Sequence, residues 1–238
     1  MNKNLMMALK TPVPTWSPAD ITTYFWLDPS DISTLFTDSA GTTAVTAADD
    51  PIGRLADKSG NSRHAKQSTS GYRPLYKVDG SIKSFFMDGS DDSLRVTTSS
   101  GLSSDMDFFM AVKRTSTANN IFFWGTAANN YSAVAQSGST SSPDSNAGTP
   151  TYYVDGTLVS PTQRGALHTA LGSESWHVLE IRNVNASAMS YTSVGWCDYN
   201  TGFKASAYIG GIVLANALSS TNRSNLRTWL GAKVGLTL

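Results

Sequence analysis

Cysteine is almost absent from this 238-residue chain, and charged side chains are few. The one cysteine, Cys197, has no partner for an internal disulfide, which excludes a disulfide-stapled scaffold and a cysteine-based zinc cluster. Charged residues make up 15% of the chain, against about 25% in an average soluble domain. The 18 basic and 18 acidic side chains cancel, so the basic footprint of a nucleic-acid-binding protein is missing. Nucleic acid is therefore not expected as a partner.

Glutamate occurs only at Glu174 and Glu180, while serine and threonine are abundant. Strong helix formers are thus scarce, and residues that suit strands and turns are common, which disfavours a helix bundle. The apolar run near residue 5 is too short for a signal-peptide core or a membrane span. We expect neither a signal peptide nor a membrane partner.

The chain divides into two parts by composition. Residues 1–18 contain Pro12, Pro14 and Pro18, which predicts an extended N-terminal arm. Residues 19–238 form the predicted β-sandwich domain. Within it, the segment DPSD at 28–31 predicts a helical turn that buries Ile32, Leu35 and Phe36, and residues 40–71 are mostly loop.

Short apolar runs separated by turn residues fill the rest of the chain and predict two antiparallel sheets packed face to face. Residues 108–112 are apolar at consecutive positions, which indicates a strand covered on both faces. The Asp155-Gly156 pair predicts a two-residue hairpin turn, and residues 138–150 predict a long exposed loop. A C-terminal helix is predicted from Ser220 to Val234, capped by Ser219 or Ser220. The predicted strands are 85–87, 94–96, 108–113, 121–124, 131–135, 152–154, 158–159, 176–184, 190–196 and 208–214.

Several motifs in a fixed order resemble the concanavalin A-like (laminin-G-like) domains of tailed-phage virion proteins. The lead-in is WLDPSDISTLF at 26–36 with DSAGTT at 38–43, and the close is IGGIVL at 209–214 with LSS at 218–220. Between them lie DPIGRLADKSGN at 50–61, HAKQ at 64–67, RP at 73–74 and FMDGSDDSL at 86–94. The resemblance covers roughly residues 20–235 and implies a jelly-roll sandwich. It supplies no catalytic residue, because such domains are commonly lectin-like or structural.

Together these features predict a non-enzymatic structural protein of a phage particle, made in the host cytoplasm and located in the virion. Its expected role is capsid decoration or tail adhesion, with other virion proteins as partners, self-association into a homo-oligomer, and a host surface glycan as a possible ligand. The alternatives are a carbohydrate-binding receptor-recognition module of a tail fibre and, less favoured, a glycan-cleaving enzyme. The arm has apolar groups to bury, either on a neighbouring subunit or on its own sandwich: Leu5, Met6, Met7 and Leu9.

Asp88, Asp91 and Asp92 place three carboxylates within five residues. Calcium takes 6–8 oxygen ligands, so an oxygen-rich loop suits it. A solvated turn before a strand is the alternative. We expect no tightly bound cofactor, and if a metal binds, these three residues are its predicted ligands. The segment 57–61 (DKSGN) predicts a turn stabilised by its own side chains.

Catalytic signals are weak. A glycosidase needs two carboxyl groups about 5–9.5 Å apart, whereas Glu174 and Glu180 on one strand would be about 20 Å apart. Asp105 and Asp107 could share a strand face, but they lie where a strand begins. His64, His168 and His177 are the available bases, without a nucleophile-elbow motif, and His177 in an apolar strand indicates a hydrogen-bonded sheet histidine.

Sugar binding has two candidate clusters. Aromatic rings stack on pyranose faces while amides and carboxylates bond the hydroxyls. Both clusters lie near predicted strand ends, and most aromatic side chains of a sandwich belong to its core. The clusters are Asn129, Asn130 and Tyr131, and Trp196, Asp198, Tyr199 and Asn200.

Overall fold

The computed structural model describes residues 16–97, 102–115, 120–125, 131–142, 148–187, 191–194 and 205–238. Within these, 120–125, 131–133 and 191–194 are described by their backbone. In chain order the elements are β1 (Thr23–Leu27), β2 (Leu35–Phe36), β3 (Arg54–Leu55), β4 (Ala65–Lys66), β5 (Leu75–Asp79), β6 (Ile82–Asp88), β7 (Leu94–Thr97), β8 (Met106–Arg114), β9 (Asn120–Gly125), β10 (Tyr131–Ala135), β11 (Gly148–Val154), β12 (Thr157–Leu158), α1 (Arg164–Leu171), β13 (Trp176–Val184), β14 (Tyr191–Val194), β15 (Ser206–Asn216) and α2 (Ser220–Lys233).

The strands form two sheets in which the paired strands are antiparallel. Sheet A has the order β12-β11-β13-β8-β15-β6-β5, and β1 also pairs with β15, beside residues that β6 does not reach. Sheet B has the order β10-β9-β14-β7-β4-β3-β2. The prediction of an all-β sandwich of two antiparallel sheets with a C-terminal helix is confirmed.

Strand β8 at the centre of sheet A is apolar at successive positions because both of its faces are covered. Phe108, Met110 and Val112 belong to the main core between the sheets, to which sheet B also contributes. Phe109 and Ala111 point the other way, into a second core beneath α2. The predicted two-sided burial is thus confirmed, and each fully buried large side chain contributes about 1.5–3 kcal/mol.

Helix α2 covers the outer face of sheet A. Ser219 caps it by accepting a hydrogen bond from the Asn222 amide at 3.2 Å, as the sequence predicts. Leu226 and Leu230, one helical turn apart, are buried against the sheet. Trp229 packs edge-on against Trp26 with ring centroids 5.6 Å apart.

The predicted hairpin joins β11 to β12. Asp155 and Gly156 have φ values of 52° and 81°, the left-handed conformation that a two-residue hairpin turn needs. Val154 pairs with Thr157 across this turn.

Two local predictions are wrong, and one helix was not predicted. Ile32 is 38% exposed, because the turn that follows Asp31 is a short 3-10 helix, Ile32–Thr34, lying on the surface. Residues 148–150 are strand instead of loop, since β11 begins at Gly148 and pairs with Val184 of β13. Helix α1 was not predicted; it buries Leu167 and Leu171.

The N-terminal arm is described from Trp16 onward. Trp16 packs against the second core, and Pro18 begins the 3-10 helix Pro18–Asp20, which Ser17 caps. The predicted assembly residues Leu5, Met6, Met7 and Leu9 lie outside the described residues. Among the described helices none has the length and apolar character needed to cross a membrane.

Candidate functional site

Two carboxylates that could serve acid–base chemistry form ion pairs with arginine side chains beneath α2. Asp107, fully buried on β8, accepts hydrogen bonds from Arg223 Nε at 2.8 Å and Nη2 at 3.2 Å, and from the Leu218 amide at 2.9 Å. Glu180, fully buried on β13, is held by Arg182 Nη2 at 2.7 Å and by Arg227 Nε. Both carboxylates therefore connect sheet A to its helix and are shielded from solvent.

The other acidic candidates for catalysis do not form a pair. Glu174 lies in a turn before β13 with a φ of 64°, so it does not share a strand with Glu180. Asp105 precedes β8, outside the strand that carries Asp107. The predicted separation of about 20 Å along one strand therefore does not apply, and Glu180 is instead made unavailable by its burial and its two arginine partners.

His177 lies on the outer part of β13 and pairs with the hairpin turn. Its Nδ1 is 2.7 Å from Asp155 Oδ2, while Asp155 Oδ1 accepts a hydrogen bond from the Val178 amide at 2.8 Å. Burial acts to raise the pKa of Asp155, but the bonds from His177 and Val178 outweigh it and hold that pKa below its ordinary value. The predicted sheet histidine is confirmed.

A groove of about 550 Å³ runs between this hairpin and α1. His177 and Asp155 form one wall, and Leu158, Ala166 and Ala170 supply apolar surface. Among the described residues no hydroxyl donates a hydrogen bond to His177. In the described part of the chain the pair is thus not joined to a hydroxyl as in a hydrolytic triad, and its contacts fix the turn.

The predicted metal ligands do converge. One carboxylate oxygen from each of Asp88, Asp91 and Asp92 lies within 4.8 Å of the others. Asp88 Oδ1 also accepts from the Ser90 amide at 2.6 Å, and Asp92 Oδ2 accepts from the Asp88 amide at 3.0 Å. These contacts are those of a turn that caps its own backbone, and the ligand prediction itself stays untested.

Burial raises the pKa of Asp92 to about 6, and the neighbouring charges of Asp88 and Asp91 act in the same direction against a hydrogen bond from the Asp88 amide. Between the ordinary value of 3.8 and about 6, the folded protein binds more protons than the unfolded chain. Stability from this group is therefore present below pH 3.8 and lost as the pH rises through 6.

Replacing Asp92 by asparagine should remove that pH dependence. At pH 7.5, Asp92→Asn should raise the free energy of unfolding by about 1–3 kcal/mol, since the amide is neutral and its oxygen still faces the Asp88 amide. Urea titrations at several pH values measure the effect, with exposed Asp79→Asn as the control. An unchanged slope between pH 4 and 6 would contradict it.

Metal binding is tested on the same protein. We expect that a chelator leaves the melting temperature unchanged. A cation bound to the folded state would raise the melting temperature by mass action, and its removal would then lower it. A chelator-sensitive shift that disappears in Asp91→Asn would overturn this expectation and identify the three aspartates as ligands.

The DKSGN turn at 57–61 is stabilised by its own side chains, as predicted, and is also bonded to β1. Asp57 accepts from the Ser59 amide at 2.9 Å and from the Arg63 amide at 3.0 Å, closing the turn on itself. Its Oδ1 also accepts from the Trp26 amide at 2.9 Å, which ties the turn to β1. His64 Nδ1 accepts from the Asp57 amide at 3.0 Å. This cluster is structural.

The predicted sugar-binding clusters largely fall outside the described residues. Asn129, Asn130, Trp196, Asp198, Tyr199 and Asn200 all do so, and Tyr131 is placed only as the first residue of β10. Their role stays a prediction.

A polar groove of about 450 Å³ on sheet B was missed by the sequence reasoning. Lys66, Gln67, Thr69, Tyr72 and Arg95 line it. The only signal in the sequence is the HAKQ segment at 64–67, which the resemblance includes without giving it a role.

Comparison with known proteins shows no family for this chain. No protein-family model matches it, and no curated protein matches it. A solved structure of a Trypanosoma rangeli sialidase, in complex with 2-keto-3-deoxy-D-glycero-D-galacto-2,3-difluoro-nononic acid, is similar over 91% of this chain and 34% of the sialidase chain, at 8% identity and a TM-score of 0.44. The chain thus spans about a third of that sialidase. At this identity and TM-score the likeness carries no argument about activity.

Proposed function

We propose that the chain is a non-enzymatic structural protein of a tailed-phage particle, built on a concanavalin A-like jelly roll and acting in capsid decoration or tail adhesion. One observation supports the absence of enzyme activity in this proposal. Arginines of α2 form ion pairs with the buried carboxylates of Asp107 and Glu180. The phage assignment rests on the ordered motifs from residue 26 to residue 220. Location in the virion, contact with other virion proteins and self-association belong to this proposal.

The proposal predicts no glycan cleavage. Incubation of the protein with laminarin, alginate, peptidoglycan and host capsule should release no reducing ends, because the buried carboxylates of Asp107 and Glu180 are paired with arginines of α2 and are not available for acid–base catalysis. The assay is a reducing-sugar measurement against a heat-denatured control. A turnover that is lost in Asp105→Asn would contradict the proposal and favour the glycan-cleaving enzyme.

The arm gives a test of assembly. Deleting residues 1–15 should leave a folded domain that no longer enters particles, because the apolar side chains of the arm are proposed to bury on a neighbouring subunit. The deletion keeps Trp16, whose contacts with the second core hold the start of the domain. The measurement compares incorporation of intact and truncated protein into particles made in an infected host.

Circular dichroism of the truncated protein controls for folding. If a folded truncated protein enters particles at full occupancy, the arm is not the attachment element. The arm would then bury on its own sandwich.

A carbohydrate-binding, receptor-recognition module is the second candidate. The groove on sheet B favours it, because Tyr72 stands beside Gln67, Ser68 and Thr69, the side chains with which proteins bond sugar hydroxyls. A glycan array with the full chain tests this role independently of particle location.

A further inference from the structure

A row of cations crosses the outer face of sheet B. Arg54 on β3 is the register partner of Lys66 on β4, and Lys66 is the register partner of Arg95 on β7. Neighbouring strands lie about 4.8 Å apart. The three positive side chains therefore follow one another straight across three strands.

Burial shows that the row faces outward. The residues that alternate with it, Leu55, Ala65, Leu94 and Val96, belong to the main core. Because successive side chains of a strand point to opposite faces, the three cations project from the other side of the sheet. The row is thus a surface feature imposed by the sandwich.

At the end of the row next to β2, Arg54 already has partners within the protein. Arg54 donates from Nη1 to the Ala40 carbonyl at 2.6 Å, and its guanidinium lies 5.6 Å from the centre of the Phe36 ring. The nearby carboxylate of Asp38 accepts backbone hydrogen bonds from Gly41, Thr42 and Thr43. Arg54 is therefore held in place as fixed positive charge.

Lys66, at the centre of the row, is accessible to solvent. It makes no ion pair with any carboxylate of the described residues. The positive potential also acts on neighbouring His64, where burial, then Arg54 and Lys66, lower the histidine pKa. Lys66 therefore offers a positive charge to a ligand from the centre of the row.

The groove beside Lys66 and Arg95 supplies neutral groups of a different kind. Gln67, Ser68, Thr69 and Tyr72 lie on its wall. Its volume of about 450 Å³ is within the range of small-ligand sites. The Gln67 amide is bonded within the protein, to Ser93 Oγ at 2.6 Å and to the Thr69 amide at 3.0 Å, so the hydroxyl groups of Ser68 and Thr69 are left for a ligand. Hydroxyl groups next to two cations match a ligand that carries many hydroxyls and an occasional carboxylate.

We propose that this groove binds a carboxylated saccharide, with Lys66 pairing its carboxylate beside the positive charge of Arg95 and the hydroxyl groups of Ser68 and Thr69 bonding its hydroxyls. The inference rests on the glycan-attachment role considered above and names its ligand class. A phosphate polymer is less suitable, since the row holds three cations on a chain of zero net charge and nucleic-acid binding draws on many phosphate contacts.

The test measures binding of the full chain to immobilised polygalacturonate by biolayer interferometry. We expect binding that weakens as salt rises, and no binding to neutral dextran. Lys66→Gln should weaken it at least about tenfold, the effect of one charge-assisted hydrogen bond, while Lys66→Arg should retain most of it. Lys83→Gln, which removes the same charge from β6 of the other sheet, is the matched control and should bind like the unaltered protein.

The inference would be overturned by no binding to polygalacturonate, by binding that Lys66→Gln leaves unchanged, or by equal binding to single-stranded DNA or inorganic phosphate. Weaker binding in Lys83→Gln equal to that in Lys66→Gln would also overturn it, because it would show attraction to the whole surface. Detection of the protein in purified particles is a separate measurement, so this inference and the proposed virion role can fail independently.

Discussion

Replacing Arg223 by methionine should lower the free energy of unfolding by about 3 kcal/mol, the magnitude seen when one partner of a buried ion pair is removed. Asp107 is fully buried, and Arg223 is its only cationic partner among the described residues. The change leaves the carboxylate with the Leu218 amide alone. Urea denaturation followed by tryptophan fluorescence measures the loss.

Two further variants separate the lost charge pair from lost packing. Arg227→Met should be less harmful, because Glu180 keeps two hydrogen bonds from Arg182, at 3.0 and 2.7 Å. Combining Asp107→Asn with Arg223→Met should recover part of the stability, since the asparagine leaves no buried charge. If the double variant is less stable than Arg223→Met alone, the electrostatic explanation is wrong.

Replacing Gly53 by alanine should also be severe, with a loss of about 3 kcal/mol or more. A Cβ atom there would lie 2.6 Å from the Thr37 carbonyl oxygen and 2.6 Å from the Asp38 carbonyl carbon. Both are backbone atoms. The Gly53 amide donates to the Phe36 carbonyl at 2.9 Å, so the two backbone segments cannot separate to make room for the methyl group without weakening this hydrogen bond. Thermal unfolding measures the loss.

Gly71→Ala is the matched control, because a Cβ atom at Gly71 meets nothing within 4 Å and the residue has no positive φ. We expect its melting temperature to stay close to that of the unaltered protein. An equal loss in both variants would contradict the explanation by close contacts at Gly53, because Gly→Ala at an unstrained position lowers the entropy of the unfolded chain and should not destabilise the protein.

Long, patterned elements were predictable from the sequence. Strand β13 has the predicted bounds, 176–184, because its apolar residues supply both cores: Leu179, Ile181 and Val184 the main core, and Trp176 and Val178 the second. Helix α2 combines a serine cap with apolar residues one turn apart. In β13 and in α2, the local sequence pattern and the tertiary packing favour the same secondary structure.

Short elements were not predictable, because their stability comes from distant partners. Strands β3 and β4 have two residues each, too few for a period to show, and are defined by pairing with each other and with β7. Helix α1 begins after Gln163, whose side chain makes no capping bond, so the usual start signal is missing. The cationic row was missed for the same reason, since only the pairing of these strands aligns Arg54, Lys66 and Arg95.

Quantitative mass spectrometry of gradient-purified phage particles tests the central claim most directly. The account predicts peptides of this chain in the particle fraction at a fixed copy number relative to the major capsid or tail protein, unchanged by a salt wash. Repeated purification in which the chain is abundant in the infected lysate but absent from the particles would contradict the proposal of a structural virion protein.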